Sequence, residues 1–199
     1  MKRMRIGDMD FTELIESHHS DYKGFARHYM LLYSVVLGLE AKCCFEFGVG
    51  FSSQVIIDAM EPTGGTLISC DTRGLENFNN VPLKNPRWSF YCGNSLDIVP
   101  TLPKPIAFDF VLHDGSHTGS VVEQDLRNIV SHVKQNGIIM VHDSLHSKFG
   151  KGVRKAIDSV MRSYKHEKLL LPYGCGLTII KVRHDFGRGK VSPVWRKMK

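Results

Sequence analysis

Five short apolar runs recur along this chain, each broken off by a polar or glycine-containing turn. They are Cys43-Cys44-Phe45-Glu46-Phe47, Thr66-Leu67-Ile68-Ser69-Cys70, Trp88-Ser89-Phe90-Tyr91-Cys92, Phe108-Asp109-Phe110-Val111-Leu112 and Ile138-Ile139-Met140-Val141. Runs of this length, rich in β-branched and aromatic side chains, predict strands buried on both faces. Helical spacing fills the gaps between them. Ser52 opens a helix that reaches Met60 and is stopped by Pro62 and Gly64-Gly65. Val122, Leu126, Ile129, Val130 and Val133 line one side of a helix over 121–134, and Val153, Ile157, Val160 and Met161 one side of a helix over 153–164. Residues 97–100 allow only a helical turn before Pro103 and Pro105. Asn136-Gly137 is expected to turn the chain into the fifth strand. Ahead of all this, residues 11–40 read as helical, with Phe11, Leu14 and Ile15 on one face and Tyr29, Leu32, Val36 and Leu39 as a second stripe. Two last strands, 168–171 and 177–182, are joined by Pro172-Tyr173-Gly174-Cys175-Gly176, short enough for an antiparallel hairpin. Five alternations of strand and helix imply an α/β fold. The expected form is a Rossmann-like doubly wound sheet, mostly parallel, with a C-terminal antiparallel hairpin and helices on both faces.

Length and composition narrow the class. The 199 residues suit a single domain, read as a helical cap (1–40), a core (41–182) and a basic tail (183–199). The net charge of +6 is a property of that end alone. Lys181, Arg183, Arg188, Lys190, Arg196, Lys197 and Lys199 face one acid, Asp185, and the rest of the chain is neutral. A solvated end is the plainer reading of such a tail, and nucleic-acid binding the less favoured one. The longest apolar stretch, 30–39, is too short to span a bilayer, and the basic start runs into Asp8, Asp10 and Glu13 with no apolar region. A cytoplasmic protein with no membrane partner is expected. Five cysteines, without a Cys-x-x-Cys pair, read as reduced and mostly buried thiols. The apolar 29–39 stripe serves either core packing or a homodimer contact.

Two words carry the chemistry: His113-Asp114-Gly115-Ser116-His117 and His142-Asp143-Ser144-Leu145-His146. Each is His-Asp-x-x-His and each follows a strand. One alone is easily a cap or a turn. Two at strand ends, where α/β sheets bind their ligands, bring two carboxylates and up to four imidazoles to one edge. Alternation along a strand keeps His113 and Asp114 from pointing the same way, so His113 and His142 are expected to pack or hydrogen-bond. Glu46-Phe47-Gly48-Val49-Gly50-Phe51-Ser52 joins a strand to a helix, where glycines let backbone approach a ligand. The third glycine of a dinucleotide fingerprint is replaced by Ser52, and Glu46 would repel a pyrophosphate. A ligand with a cationic or zwitterionic group fits better. Asp71, ending the second strand, is placed to accept from ribose hydroxyls, and Asn94 and Ser95, after Gly93, to contact an adenine edge.

Taken together, Glu46 to Gly50, Asp71, Gly93-Asn94-Ser95, Asp114 to His117 and Asn136 to Asp143 resemble a class I S-adenosylmethionine-dependent methyltransferase. Within that superfamily the chain is similar to methyltransferase family 24, and more distantly to the catechol and caffeoyl-CoA O-methyltransferases, over roughly residues 40–182. The resemblance implies S-adenosylmethionine as cofactor, with Gly48 and Gly50 at its methionine part and Glu46 or Ser52 holding the ammonium. Asp71 would take the ribose and Asn94 and Ser95 the adenine, with Asp114 close by. It implies a divalent metal, Mg2+ or Mn2+, at Asp114 and Asp143, where Ser144 stands in the place of the usual asparagine and His146 is an optional ligand. His117 stands where the catechol enzymes keep their catalytic lysine, which makes it the expected general base beside Asp114 and Asp143.

The expected reaction is methyl transfer to the oxygen of a small hydroxylated acceptor. A metal-dependent hydroxylase or hydrolase on the same fold is the alternative, as is an RNA or protein methyltransferase recruited by the basic tail. Residues 1–40, 72–86 and 144–152, which would shape the acceptor pocket, do not spell out the acceptor.

Overall fold

A computed structural model of the chain describes residues 5–6, 9–10, 24–78, 81–103 and 105–183. Two short strands come first, β1 (Arg5–Ile6) and β2 (Met9–Asp10), paired antiparallel. Both lie ahead of the stretch 11–40 that the sequence marks as helical. The predicted Phe11, Leu14 and Ile15 face lies outside the described residues. The second stripe is helical. A 3-10 turn, Phe25–His28, leads into α1 (Tyr29–Gly38), which sends Leu32 and Val36 into the core and leaves Met30 and Leu37 partly exposed.

The strands of the main sheet follow in chain order: β3 (Cys43–Phe47), β4 (Thr66–Asp71), β5 (Trp88–Cys92), β6 (Phe108–His113), β7 (Val133–His142), β8 (Lys165–Leu171) and β9 (Leu177–Arg183). Their spatial order is β5-β4-β3-β6-β7-β9-β8. β5, β4, β3, β6 and β7 are mutually parallel, β9 runs antiparallel to β7, and β8 pairs antiparallel with β9. The doubly wound sheet and its terminal hairpin are therefore as expected. Between the strands lie α2 (Phe51–Ala59), the single turn α3 (Ser95–Ile98), α4 (Gly119–Ile129) and α5 (Gly150–Met161).

Helices cover both faces, so the core has two halves. Phe45, Phe47, Val111 and Ile139 meet Val122, Leu126, Val153 and Ile157 on one face. Cys44, Phe110, Leu112 and Met140 meet Leu32, Val36, Val55 and Ile56 on the other. Successive strand residues alternate between the halves, which is why these runs had to be apolar throughout.

One turn was misread. Asn136-Gly137 does not separate helix from strand, because β7 already begins at Val133. Asn136 sits inside it with φ of 63°, and the pairing with β6 shifts register between Phe108 and Phe110. Lys134 to Gly137 stand opposite the single residue Asp109 of β6 there, an irregularity that an Asn-Gly pair accommodates as readily as a turn. Among the cysteines, Cys44 and Cys70 are buried, but Cys92 is exposed and Cys43 and Cys175 are half-buried. Among the described residues no helix is long and apolar enough to cross a membrane. The basic tail beyond Arg183 lies outside them.

Candidate active site

The strand order reverses at β3, whose neighbours β4 and β6 connect to opposite sides of the sheet. Connections leaving a reversal point diverge, and the crevice between them receives ligands in sheets of this kind. All five parallel strands end in the expected chemistry here: Gly48-Val49-Gly50 after β3, Asp71 on β4, Asn94-Ser95 after β5, Asp114 after β6 and Asp143 after β7.

The loops after β3 and β6 are pressed together. The Asp114 N–H donates to the Phe47 carbonyl at 2.9 Å, and the Gly48 N–H to the Cys70 carbonyl at 2.9 Å. Gly48 has φ of +83°, and a Cβ there would fall 2.4 Å from the Asp114 carbonyl oxygen. Glycine is therefore required on two counts, backbone conformation and space. Gly50 is different. A Cβ on it meets nothing within 4 Å, so it faces open room.

Asp114 and the β7 terminus form the chemical centre. Donor atoms of Asp114, His142 and Asp143 lie within 4.8 Å of one another. His142 Nδ1 is 2.8 Å from Asp114 Oδ1 and 3.5 Å from Asp143 Oδ2, and His117 Nδ1 is paired with Asp143 Oδ2. Asp143 is held at φ of +58°, a conformation that costs free energy in any residue with a side chain and clusters at functional sites. The charges are arranged in alternation. Asp143 raises the pKa of His117 through their hydrogen bond. Burial pushes the Asp143 carboxyl up, but the bond from His117 and the neighbouring imidazoles outweigh it and hold it low. Burial likewise pushes His142 down, and the bond to Asp114 more than reverses this. His142 Nε2 is buried without a hydrogen-bond partner among the described residues, its ring edge-on to Phe25 at 5.0 Å.

A cavity of about 350 Å3 opens onto this centre, lined by Gly24, Phe25, Asp114, His117, His142, Asp143, His146, Phe149 and Cys175. Phe149 stacks with the rings of both His117 and His146, at 5.7 and 4.8 Å. The site thus gathers Asp114, Asp143 and His117 as the sequence suggested, and adds His142, which had been assigned to packing or hydrogen bonding. It does hydrogen-bond, and its partner is Asp114, inside the Asp114, His142 and Asp143 cluster. Ser144 is a correction. It is fully buried, its hydroxyl hydrogen-bonded to the Val141 carbonyl and to Thr178 Oγ1, and it does not join the carboxylates. His146 lines the cavity outside the three-residue group, its Nδ1 accepting from the Lys148 N–H at 3.1 Å.

On the other side of the crevice, Glu46 is a second correction. It is completely buried. Ser52 and Ser53 hydroxyls donate to its two oxygens, Ser69 adds a third bond at 2.9 Å, and the Trp88 indole donates to Ser69. Glu46 and Ser52 are both buried and bonded to each other rather than open to the crevice. Asp71 keeps its place at the β4 end and accepts from the Val49 N–H at 3.1 Å. Burial pushes its carboxyl up, but bonds from Arg73 and Val49 prevail and hold it low. Arg73, largely exposed and missed in the sequence, covers it at 3.0 Å. Asn94 accepts from the Leu96 N–H and so caps α3, while the Ser95 hydroxyl donates to Asp125 Oδ1. His113 is buried and pairs with the other oxygen of Asp125, at 3.0 Å. Arg73 lay two residues from Asp71 and Phe149 three from His146, spacings that local contacts use, but nothing marked them in advance.

The donor set suits a divalent cation: two carboxylates and an imidazole, oxygen ligands for magnesium and a mixed set for manganese, iron or zinc. The open room at Gly50, with Asp71, the exposed Asn94 and the half-buried Ser95 along the same edge, leaves space for an extended ligand.

A family model described as a methyltransferase domain matches residues 45–144. No curated protein sequence matches the chain. Among solved structures, the O-methyltransferase TomG from Streptomyces achromogenes, in complex with SAM, is similar with a TM-score of 0.66 and 19% identity. That alignment covers 87% of this chain and 89% of TomG. The SAH-bound methyltransferase PaMTH1 from Podospora anserina has a TM-score of 0.69 and 15% identity, covering 86% and 88%. An O-methyltransferase from Bacillus cereus in complex with SAH has a TM-score of 0.66 and 12% identity, covering 86% and 90%. At these identities the likeness is one of fold.

Proposed function

The chain belongs to the methyltransferase-domain family, and from that premise we propose that it moves the methyl group of S-adenosylmethionine to a hydroxyl oxygen of a small acceptor seated over Asp114 and Asp143. It is an S-adenosylmethionine-dependent methyltransferase; the oxygen acceptor and the metal are the proposal. The observation that carries it is the convergence of Asp114, His142, Asp143 and His117 on one cavity at the reversal point of the sheet. The solved relatives named above include two O-methyltransferases, one crystallised with SAM and one with SAH.

Methyl transfer is an in-line displacement at carbon. The acceptor oxygen forms the new C–O bond while the C–S bond breaks, and its electron pair returns to sulfur to leave neutral S-adenosylhomocysteine. The protein must align the two reactants and take up the hydroxyl proton. His117 is built for the second task. Its Nδ1 is engaged by Asp143, which leaves Nε2 as the basic nitrogen, and its ring is held flat against Phe149 at the cavity wall. Asp71 would hold the ribose, in competition with the Arg73 side chain that covers it, and Gly50 would leave room for the methionine part. Asp114, Asp143 and His142 are the residues that would hold a divalent cation, which when bound lowers the pKa of an acceptor hydroxyl.

His117→Ala tests the assignment. We expect S-adenosylmethionine to bind with little change and turnover to fall on the order of 100-fold or more, the usual share of a positioned general base. Calorimetric titration of the cofactor checks the first part and single-turnover kinetics the second. Unchanged turnover would remove His117 from the mechanism. Repeating the titrations in EDTA and then in magnesium or manganese, with Asp143→Asn as the control, shows whether the carboxylate pair binds the cation.

A further inference from the structure

Ser95, Asp125 and His113 form a buried polar chain that the mechanism above does not use. Asp125 lies on the inward face of α4 beside Val122, Leu126 and Ile129, and is 2% exposed. A carboxylate in such a place is costly unless both oxygens are bonded. Here they are: Oδ1 accepts from the Ser95 hydroxyl at 2.6 Å, and Oδ2 from His113 Nε2 at 3.0 Å. The three residues come from three elements, the α3 turn, α4 and the end of β6. Of the three, only Ser95 is not fully buried.

A serine hydroxyl has one proton to give. At Ser95 that proton is committed to Asp125, so toward the crevice the oxygen offers only lone pairs. A base lying there is held well if it brings an N–H donor and poorly if it brings a carbonyl. We propose that Asp125 is a positioning residue that fixes the hydrogen-bond polarity of Ser95, so that the site selects a 6-amino purine over its 6-oxo counterpart. The inference rests on the reading that the adenine of the cofactor lies at Asn94 and Ser95. His113 supports it by occupying Oδ2, which leaves Oδ1 to the serine.

Asparagine at 125 reverses the arrangement without changing its shape. Its amide oxygen can keep the bond from His113, and its NH2 group then donates to Ser95 Oγ. The serine proton is released toward the crevice, where it meets a carbonyl favourably. Calorimetric titration of the full chain with S-adenosylhomocysteine and with its deaminated analogue S-inosylhomocysteine reads the difference. In the unaltered protein the adenosyl ligand is expected to bind on the order of 10- to 100-fold more tightly, the scale of a mismatched hydrogen bond. Asp125→Asn is expected to bring the ratio close to one or invert it. If Asp125→Asn weakens both ligands by the same factor, Asp125 is a structural tie only and the proposal is overturned. If Asp125→Asn does not fold, Ser95→Thr, which keeps the hydroxyl, should keep the ratio and Ser95→Ala should lose it; equal ratios in both overturn the proposal. Failure of the unaltered protein to bind S-adenosylhomocysteine at all counts against the cofactor reading itself, a result that differs from binding with an unchanged ratio.

Discussion

Burial raises the Glu46 carboxyl to about 7, against the opposing pull of hydrogen bonds from Ser52, Ser53 and Ser69. The sign of its effect on stability follows. Above its usual value of 4.5 the unfolded chain gives up the proton while the folded chain keeps it, so stability from this residue is present below pH 4.5 and is lost as pH climbs toward 7. A rise of that size is worth roughly 3 kcal/mol. Glu46→Gln is uncharged at every pH. Its stability relative to the unaltered protein should therefore improve by roughly 2–3 kcal/mol between pH 5 and pH 7.5. Urea unfolding at the two pH values measures this, and parallel behaviour of the two proteins would count against a proton held at Glu46. The sequence showed a carboxylate beside a glycine turn and suggested a grip on a cationic ligand. Three serines decide otherwise: Ser52 and Ser53 at the start of α2, six and seven positions on, and Ser69 on β4, 23 positions away, which only the fold brings near.

The loop between β3 and α2 shows how two glycines in one motif differ. Gly48→Ala places a methyl group against the Asp114 backbone in a left-handed conformation. The conformation alone costs about 1–2 kcal/mol and the clash adds to it. A loss of about 2 kcal/mol or more should lower the melting temperature by roughly 4–8 °C in a chain of this size. Asp114 moves with the loop, so cation binding should weaken as well. Gly50→Ala meets no atom and has an extended backbone, so its melting temperature should stay put while cofactor affinity drops. Calorimetric melting and cofactor titration on both variants test the pair together. A Gly50→Ala protein that binds the cofactor normally would show that the open room is not where the ligand lies. β7 makes a similar point. Asn136-Gly137 has the composition of a turn, but β6 pairs with Val133 before it and with Ile138 after it, which keeps it within the strand as an irregularity. Local signals of that kind yield to neighbouring strands.

Binding to the folded state alone stabilises it by mass action, and the site as described exists only once five strand ends are in place. S-adenosylhomocysteine at about 100 times its Kd should raise stability by about 2.7 kcal/mol, a melting shift of roughly 5–10 °C. Differential scanning calorimetry with increasing ligand would show it. A shift that does not grow with concentration would mean that the ligand does not recognise the folded form.

The apolar runs and the spacing between them settled the class of fold, because strands covered on both faces can be built from little else and parallel neighbours need a helix between them. The two His-Asp words were legible for a related reason: residues that follow such strands emerge at the ligand-binding edge whatever the details. Which of their side chains meet was a matter for the tertiary structure. Asp114 lies beside His142 because β6 and β7 are adjacent and in register, and no local pattern states adjacency. Ser144 turned inward because Thr178 of β9 faces it. Glu46 and Asp71 are both carboxyl groups on neighbouring strands, yet one is sealed by serines and the other covered by Arg73. Those outcomes depend on contacts across 23 positions between Glu46 and Ser69 and across 34 between Ser144 and Thr178, distances over which composition and periodicity carry no information.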